Sequence, residues 1–428
     1  MTRFVFLLFT TGTLTISCNN SAEEKTETDT TRIINDTTNN GDTAVTNRTD
    51  SFPAPFATPS VRNMSKVIGW PADKTPVAPA GFTVSKFADS LESPRWIYVA
   101  KNGDIFVAQA DREGKKGNNI LLFRDKNKDG IPESRSVYLS GLKQPFGMLI
   151  LNNSFYVANT GELLQYKYDS SATAIKGTGK SLVRFPTGRH WTRNIIANDA
   201  GTKIYIAIGS ASNIAEDGFD KEIRRANILE ISPDGKGERV YASGLRNPVG
   251  MDWAPGTNTL WTAVNERDEL GDDLVPDYLT SVQENGFYGW PYSYFGKRED
   301  PRIKEADKRP DLVSKAIVPE VALGSHTASL GLVFYRGNSF PAQYHNGAFI
   351  GQHGSWNRSQ LVGYKVVYVP FAGGRPSGPM QDFLTGFIAD ASKSEVYGRP
   401  VGVAVLADGS LLVADDGGNK IWRVAYKK

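Results

Sequence analysis

A short signature recurs along the chain, and its repeat constrains the fold more than any other feature of the sequence. Each clear copy is a proline that opens an apolar run, and three copies carry a glycine two residues later: SPRWIYV at Pro94, KQPFGMLIL at Pro145, RNPVGMDW at Pro248 and GRPVGVAV at Pro400. Two degenerate copies are TRNIIAN at Arg193 and ASLGLVFY at Gly331. Successive copies lie about 50 to 80 residues apart, which indicates six repeats of one structural unit.

Each repeat continues, after a turn, with a second run of alternating apolar residues: GDIFVAQA, NSFYVANT, TKIYIAIG, NTLWTAVN, GAFIGQH and GSLLVADD. The 42 glycines and 23 prolines fit many short strands joined by tight turns. Such repeats predict an all-β fold, a six-bladed β-propeller of four-stranded antiparallel blades. We assign the propeller to residues 81–428, with insertions chiefly at 266–320 and 370–395.

The N-terminal region differs in composition. Residues 1–17 combine Arg3, an apolar stretch and small residues before Cys18, and they resemble a bacterial lipoprotein signal peptide whose cysteine becomes lipidated. The alternative is an ordinary signal peptide with an incidental cysteine. Residues 18–60 are polar and nearly free of aromatics, which predicts a disordered tether, and 61–80 are expected to pack on the edge of the domain. We therefore expect a secreted protein, a periplasmic or outer-membrane lipoprotein.

The charge balance limits the partners. There are 49 basic and 46 acidic residues, a net charge of +3, so nothing favours binding to nucleic acid or to a membrane except through the lipid anchor. Cys18 is the only cysteine, which leaves the mature chain no disulfide and no further thiol nucleophile.

In a propeller the first strand of each blade lines the central channel, so the residues just before these strands converge on one mouth. Read at the six signatures, this position holds Ser93, Gln144, His190–Trp191, Arg246–Asn247, His326–Thr327 and Arg399. A ring with two arginines, two histidines and no carboxylate favours an anionic ligand, because buried charge needs a partner. The alternative is that these residues satisfy loop carbonyls and one another.

Three segments carry a family resemblance: GLRNPVGMDW at 244–253, VNERDELGDD at 264–273 and NGFYGWPY at 285–292. Together with His190–Trp191 they resemble the quinoprotein sugar dehydrogenases, closest to the sorbosone and pyranose dehydrogenase branch and related to soluble glucose dehydrogenase. The resemblance covers essentially residues 81–428. It implies a six-bladed propeller that binds pyrroloquinoline quinone (PQQ), a tricarboxylate, together with Ca²⁺.

The resemblance also implies roles for individual residues. His190 falls where the family keeps its general base, which accepts the proton of the substrate hydroxyl while hydride moves to the quinone. Arg246 and Asn247 match the pair that contacts the quinone carbonyls, and the Arg246 guanidinium would stabilise charge developing on the ring. Arg399 matches an arginine that binds a cofactor carboxylate, and Gln144 falls at a position that lines the cofactor.

Two further cofactor contacts follow from the same comparison. His326 occupies the ring position and matches the sorbosone-type branch. His353 begins a segment in which glucose dehydrogenase supplies a lysine; no lysine stands there in this chain, and Arg358 is the candidate to replace it. His345 in QYHNG is interpreted as a turn residue with no functional role.

Two acidic segments are candidate calcium sites. The family holds its active-site ion partly through carbonyls of the loop that corresponds to 266–273, where this chain offers the side chains of Glu266, Asp268, Asp272 and Asp273. The alternative is a solvated loop. The segment DKNKDGIPE places Asp125, Asn127 and Asp129 at the spacing of a structural calcium loop, but Ser136 stands where the closing glutamate belongs, and a hairpin turn is the alternative.

The sequence thus predicts PQQ- and calcium-dependent oxidation of a sugar or sugar aldehyde. Electrons would pass to a periplasmic acceptor, a cytochrome or a quinone. The alternatives are a calcium-dependent lactonase-type propeller hydrolase, which needs carboxylates around an axial ion, and a non-catalytic propeller that binds glycans or proteins.

Overall fold

Short β-strands make up nearly all of the regular structure in residues 52–127 and 129–427, which the computed structural model describes. The all-β prediction is confirmed. The predicted signal peptide, Cys18 and the predicted tether up to residue 51 lie outside the described residues. Helical pieces in the described part are three or four residues long: Phe219–Glu222, Glu305–Asp307, Pro310–Val313, Ala342–Tyr344 and Ala391–Lys393. No helix within these ranges has the length and apolar character needed to cross a membrane.

Six sheets follow one another along the chain, and we number them sheet 1 to sheet 6. Sheet 1 consists of Pro94–Val99, Ile105–Ala110, Gly117–Arg124 and Ser134–Leu139. Sheet 2 consists of Met148–Leu151, Ser154–Ala158, Glu162–Lys167 and Lys180–Arg184. Sheet 3 consists of Ile195–Ala197, Ile204–Ile208, Asn227–Ile231 and Arg239–Ser243, with Gly286–Phe287 added in parallel at its edge.

The remaining three sheets repeat this antiparallel order. Sheet 4 consists of Pro248–Trp253, Leu260–Val264, Pro276–Ser281 and Val321–Ser325. Sheet 5 consists of Ser329–Phe334, Ala348–Gln352, Lys365–Val369 and Gln381–Leu384. Sheet 6 consists of Pro400–Val405, Leu411–Asp415, Lys420–Tyr426 and, as its outer strand, Phe82–Ala88 from the other end of the domain. This last pairing, with Phe82 opposite Tyr426, joins the two ends of the domain.

All six signatures coincide with the first strands of the six sheets, and the signature glycines show why. A Cβ on Gly147 would lie 2.6 Å from the nitrogen of Ile195, one on Gly250 2.6 Å from the Leu330 carbonyl, and one on Gly402 2.6 Å from the Arg95 carbonyl. A Cβ on Gly331 would similarly collide with the Val401 carbonyl. These glycines therefore permit the first strand of one sheet to approach that of the next.

The first strands succeed one another in a ring. The glycine contacts join sheet 2 to 3, 4 to 5, 5 to 6 and 6 to 1. Sheet 1 meets sheet 2 where the rings of Trp96 and Phe146 lie 4.8 Å apart, and sheet 3 meets sheet 4 where Trp253 Nε1 donates to the Ala197 carbonyl at 2.8 Å. A cavity of about 600 Å³ at the carboxyl ends of these strands is lined by residues from all six.

The insertions carry short elements of their own. The stretch 266–320 includes the third strand of sheet 4, so the inserted part begins after Ser281 and contains the hairpin Ser293–Tyr294 with Arg298–Glu299. Similarly, 370–395 includes the fourth strand of sheet 5 and the hairpin Phe371–Ala372 with Arg375–Pro376. A small sheet joins Lys66–Val67 in parallel to Glu395–Val396, which pairs with Ile388–Asp390.

Residues 52–67 run along the surface and are hydrogen-bonded to two loops. Phe56 N donates to the Leu270 carbonyl at 2.8 Å, and Asn63 N donates to the Trp356 carbonyl at 2.8 Å. The Phe52 ring packs 5.0 Å from Phe295. Contacts with the sheets and their loops therefore begin at least as early as Phe52, within the range assigned to the tether.

Candidate functional site

A cavity of about 410 Å³ lies at the amino ends of the first strands of five of the six sheets, and we call it the axial cavity. Its charged lining is strongly unbalanced. Three aspartates face six arginines: Asp111, Asp268 and Asp416 against Arg62, Arg95, Arg112, Arg189, Arg246 and Arg399. Such an excess of guanidinium groups, partly shielded from water, is suited to an anion with several carboxylates.

His190 lines the axial cavity, and its ring orientation is fixed by the backbone. Nδ1 lies 2.8 Å from the Ser210 carbonyl, which can only accept, so Nδ1 carries the hydrogen and Nε2 keeps its lone pair. Burial, reinforced by the Arg246 guanidinium, holds the pKa of His190 well below its usual range. The imidazole is therefore neutral at physiological pH and able to accept a proton.

Arg246 and Asn247 lie beside His190, at the end of the loop before sheet 4. Arg246 is buried and donates to the Asn213 side-chain oxygen at 2.8 Å and to the Asn265 carbonyl at 3.3 Å, with Asp268 at 3.4 Å. Asn247 is also buried, and its side-chain oxygen has no hydrogen-bond partner among the described residues.

A second cationic group is built around Arg95, which follows the proline of the first signature. Its guanidinium forms an ion pair with Asp416 and lies 5.1 Å from the centre of the Trp191 ring. Asp416 also accepts from His353 Nε2 at 2.8 Å. Burial and the neighbouring Arg399 charge lower the pKa of His353 to about 4, although Asp416 opposes the shift.

Arg399 also lines the axial cavity and lies just before the first strand of sheet 6. Its Nε donates to the His353 carbonyl at 3.0 Å and its Nη2 to the Gly354 carbonyl at 3.0 Å. The guanidinium is therefore held by carbonyl groups rather than by a carboxylate, and it keeps its positive charge for a ligand in the axial cavity.

Three predicted cofactor contacts do not line the axial cavity. Gln144 lies behind it, because its amide donates to the carbonyls of Asp111 at 3.1 Å and Arg112 at 2.8 Å and so holds the lining loop. His326 is buried between Asp268, 3.3 Å from Nδ1, and the Gly271 carbonyl, 2.8 Å from Nε2. Burial opposes protonation of His326, but the Asp268 carboxylate outweighs it and raises the pKa.

Arg358, the third, is directed to the loop after sheet 4. It donates to the Asp272 carbonyl at 2.7 Å and pairs with Asp273 at 2.7 Å. Because Arg358 lies outside the lining of the axial cavity and makes these two contacts with the loop, it is a structural residue of that loop.

The four acidic residues predicted to bind calcium do not come together. Glu266 forms an ion pair with Arg267 at 3.0 Å, Asp268 faces Arg246 and His326, Asp272 is hydrogen-bonded to Ser359, and Asp273 pairs with Arg358. The Asn265 and Glu266 carbonyls already accept from the Arg246 guanidinium. Over residues 52–127 and 129–427, no three His, Cys, Asp or Glu side chains are grouped so as to hold a metal ion. The four predicted carboxylates therefore do not form a calcium site among themselves, and a calcium ion held by carbonyl oxygens and by the cofactor stays a prediction.

The second acidic segment is a turn. Asp125 accepts from Gly130 N at 2.8 Å, and Asn127 accepts from Asp129 N at 2.9 Å, as in loops that Asp and Asn side chains stabilise. These hydrogen bonds are those of the hairpin alternative, while Asp125 Oδ1 has no partner among the described residues, and the calcium alternative for this segment stays a prediction.

Several lining residues were missed by the sequence analysis. Arg95 stands one position after its signature proline, whereas the ring was read at or before that proline. Arg62 and Met64 come from the segment assigned to the domain edge, and Asp416 follows the second strand of sheet 6. A weak signal for Asp416 was present, because the ADD of GSLLVADD ends an apolar strand with two carboxylates.

The axial cavity fits a planar tricarboxylate such as PQQ. Two of its buried polar atoms lack any partner among the described residues, the acceptor Asn247 Oδ1 and the donor Arg95 Nε. Buried polar atoms are nearly always satisfied, so these two indicate a missing ligand or water. Arg95, Arg246 and Arg399 supply the cationic donors, and the Trp191 ring supplies an aromatic wall.

Comparisons with known proteins agree with this geometry. The TrAA12-like family matches residues 76–285 and 301–427. An uncharacterized protein of Borreliella burgdorferi is 33% identical over 370 residues, which cover 82% of this chain and 90% of that protein. The pyrroloquinoline quinone-dependent pyranose dehydrogenase of Coprinopsis cinerea is 23% identical over 400 residues, 80% of this chain but 53% of that longer protein.

The fold is shared with a solved structure. The holo form of the pyranose dehydrogenase PQQ domain from Coprinopsis cinerea superposes with a TM-score of 0.69 at 21% identity and covers 85% of this chain and all of that one. The family relationship predicted from the three sequence segments is confirmed.

Proposed function

The chain belongs to the TrAA12-like family, and on that premise we propose that it oxidises a sugar or a sugar-derived aldehyde with PQQ bound in the axial cavity. One observation carries the proposal: six arginines, a neutral histidine and two unsatisfied buried polar atoms converge on one cavity with only three carboxylates. The names of the pyranose dehydrogenase and of its PQQ domain support the choice of cofactor and of substrate class.

We further propose that the six sheets are the blades of a six-bladed propeller. Their ring of first strands and the pairing of Phe82–Ala88 with Lys420–Tyr426 support this arrangement. It explains why residues distant in sequence share one cavity, because loops before successive first strands meet at the axis.

The residues that would hold PQQ are Arg95, Arg246 and Arg399, which present guanidinium groups for its carboxylates and carbonyls, with Asn247 beside them. When bound, the quinone would supply the two-electron acceptor for oxidation at a carbon that carries a hydroxyl group. Arg246 would also favour negative charge that develops within its reach.

His190 would receive the proton of the substrate hydroxyl at Nε2. Its Nδ1–H bond to the Ser210 carbonyl fixes the tautomer, and that carbonyl also accepts from Arg225 at 2.9 Å, so the loop cannot easily turn the ring. A neutral imidazole within a cationic cavity is a base that is not already protonated at neutral pH.

The remaining parts of the proposal concern the surroundings of the enzyme. Electrons would pass to a periplasmic cytochrome or quinone, and the chain would be exported and anchored through Cys18. The anchor rests on the sequence before Cys18, and labelling of the expressed protein with a fatty-acid analogue, with Cys18→Ala as its control, tests it.

The decisive experiment is a titration of the purified chain with PQQ, followed by absorbance, and then dye reduction over aldoses, ketoses and sorbosone-like aldehydes. We expect saturable binding and turnover of at least one sugar. Arg399→Gln should weaken PQQ binding by at least about tenfold, because a charge-assisted contact is lost. Arg375→Gln, an exposed arginine of the hairpin after sheet 5's third strand, is the charge-matched control and should bind like wild type. Unchanged absorbance on mixing with PQQ would contradict the proposal and favour a non-catalytic binding protein.

A further inference from the structure

We propose that the axial cavity continues into a second saccharide subsite at its mouth, so that the substrate is an oligosaccharide of at least two rings. The subsite is an open depression lined by Phe56, Ser60, Arg62, Glu269, Trp356 and Asn357, which we call the mouth subsite. This inference rests on the proposed function and names the substrate class for the same site.

The two cavities share a wall. Arg62 and Trp356 line both the axial cavity and the mouth subsite, and the Arg62 guanidinium lies 5.7 Å from the centre of the Trp356 ring. Once a tricyclic quinone occupies part of the 410 Å³ axial cavity, little more than the reacting ring of a sugar has room beside it. A second ring attached to the first must then extend across this shared wall into the mouth subsite.

The composition of the mouth subsite suits a sugar ring. Phe56 is 55% exposed, and Trp356 is half-buried, so two aromatic side chains are presented to the solvent at one place. The negative face of an aromatic ring attracts the C–H face of a pyranose, while the hydroxyl groups at the ring edge need polar partners. Ser60 and Glu269 offer them, because both line the depression and are exposed to solvent.

The mouth subsite is held in place rather than formed by a loose loop. Asn357 is buried, and its side chain joins both walls: Nδ2 donates to the Val61 carbonyl at 3.1 Å, and Oδ1 accepts from Glu269 N at 2.8 Å. Glu269 has φ of +73°, a conformation uncommon for any residue but glycine. These neighbours hold the Glu269 backbone in this conformation and so keep its exposed carboxylate at the mouth subsite.

The test compares sugars of one series on the full chain loaded with PQQ: glucose, cellobiose and cellotriose, and in parallel galactose and lactose. We expect kcat/KM to rise from the monosaccharide to the disaccharide in at least one series. In Phe56→Ala and in Glu269→Gln the ratio of disaccharide to monosaccharide kcat/KM should fall about two- to tenfold, the contribution of one aromatic or hydrogen-bonding contact.

Phe219→Ala is the matched control, because Phe219 is an exposed aromatic that lines neither cavity and stacks on Tyr292 instead. Its ratio should equal that of wild type. A second measurement does not need turnover: calorimetric titration of the chain without PQQ should show tighter binding of cellotriose or lactose than of their monosaccharides, and Phe56→Ala should abolish the difference.

The outcomes separate the two proposals. If monosaccharides are oxidised but the ratio is near one in wild type and unchanged in both variants, the mouth subsite is wrong while the proposed function stands. If no sugar is oxidised at all, the proposed function fails, and the calorimetric comparison still decides the subsite: equal affinity for one ring and for two or three rings overturns it.

Discussion

Removal of the His190 imidazole is the sharpest test of the catalytic arrangement. Because Nδ1 is committed to the Ser210 carbonyl at 2.8 Å, Nε2 is the one nitrogen of this ring that can accept a proton. A positioned general base typically contributes about 10²- to 10⁴-fold in rate, which corresponds to about 3 to 5 kcal/mol of activation free energy. His190→Ala should therefore reduce kcat by about 10²- to 10⁴-fold.

The same substitution should leave PQQ binding largely intact. His190 is uncharged, and the contacts proposed for the cofactor come from Arg95, Arg246 and Arg399. The pH dependence of kcat is an independent test of His190 as the base. Since burial and Arg246 lower the pKa of His190 below 6.5, the base is already deprotonated at pH 6.5, and kcat should be flat above that pH and fall only below it.

The assay is single-turnover absorbance of PQQ mixed with sugar, with steady-state dye reduction from pH 4.5 to 8.5. His345→Gln is the control, since His345 lies in the turn after Ala342–Tyr344, donates to or accepts from no cavity residue, and has Nε2 2.9 Å from the Phe340 carbonyl. The base assignment is refuted if His190→Ala keeps kcat within about threefold of wild type while its PQQ affinity is normal.

Two further outcomes follow from the charges in the cavity. His353 has a pKa of about 4 in the folded chain and about 6.5 when unfolded, so its contribution to stability is present above pH 6.5 and is lost as pH falls toward 4. Between pH 7 and 4.5, denaturant titrations should show that the free energy of unfolding falls by up to about 3 kcal/mol more in wild type than in His353→Gln. Equal losses in the two proteins would contradict the lowered pKa. Calorimetry of the chain without PQQ should show no calcium binding tighter than about 1 mM, because the four predicted ligands Glu266, Asp268, Asp272 and Asp273 are turned toward separate arginine, histidine or serine partners. Saturable binding at lower concentrations would contradict this description of the loop.

The first strands could be predicted because their signature reflects a local requirement. Gly147, Gly250, Gly331 and Gly402 stand where a neighbouring strand leaves no space for a Cβ, so a glycine recurs in four of the six signatures, in three of them two residues after the proline. The loop positions next to these strands were predictable for the same reason, and His190, Arg246, Asn247 and Arg399 do share one cavity.

The errors concern pairing between distant residues, which composition does not reveal. Glu266 looked like a metal ligand in an acidic loop, but its Oε2 is paired with Arg267, which also reaches Asp300 at 3.0 Å, 33 residues further along the chain. Glu266 Oε1 has no partner among the described residues. Gln144 and His326 occupy the predicted ring positions, yet both have positive φ and turn their side chains toward loop atoms behind the cavity. Positive φ alone does not decide this, because Ser93 also has φ of +51° and lines the cavity, and the sequence carried no signal for the loop atoms that hold Gln144 and His326.

The loop that carries His190 shows how the chain can attract an anion to the cavity and also keep His190 unprotonated. Arg225 donates to the carbonyls of Gly209, Thr187 and His190 and forms no ion pair in the part of the chain that the structure describes. Arg193 likewise donates to the His190 carbonyl at 2.8 Å, and burial lowers its pKa to about 9. Carbonyl partners hold these guanidinium groups without neutralising them, so their charge still acts on the surroundings. That charge favours an anion in the cavity and, because Arg225 and Arg246 both oppose protonation of His190, it also keeps the base free. Exchange of these carbonyl contacts for carboxylates would satisfy the same arginines and remove both effects.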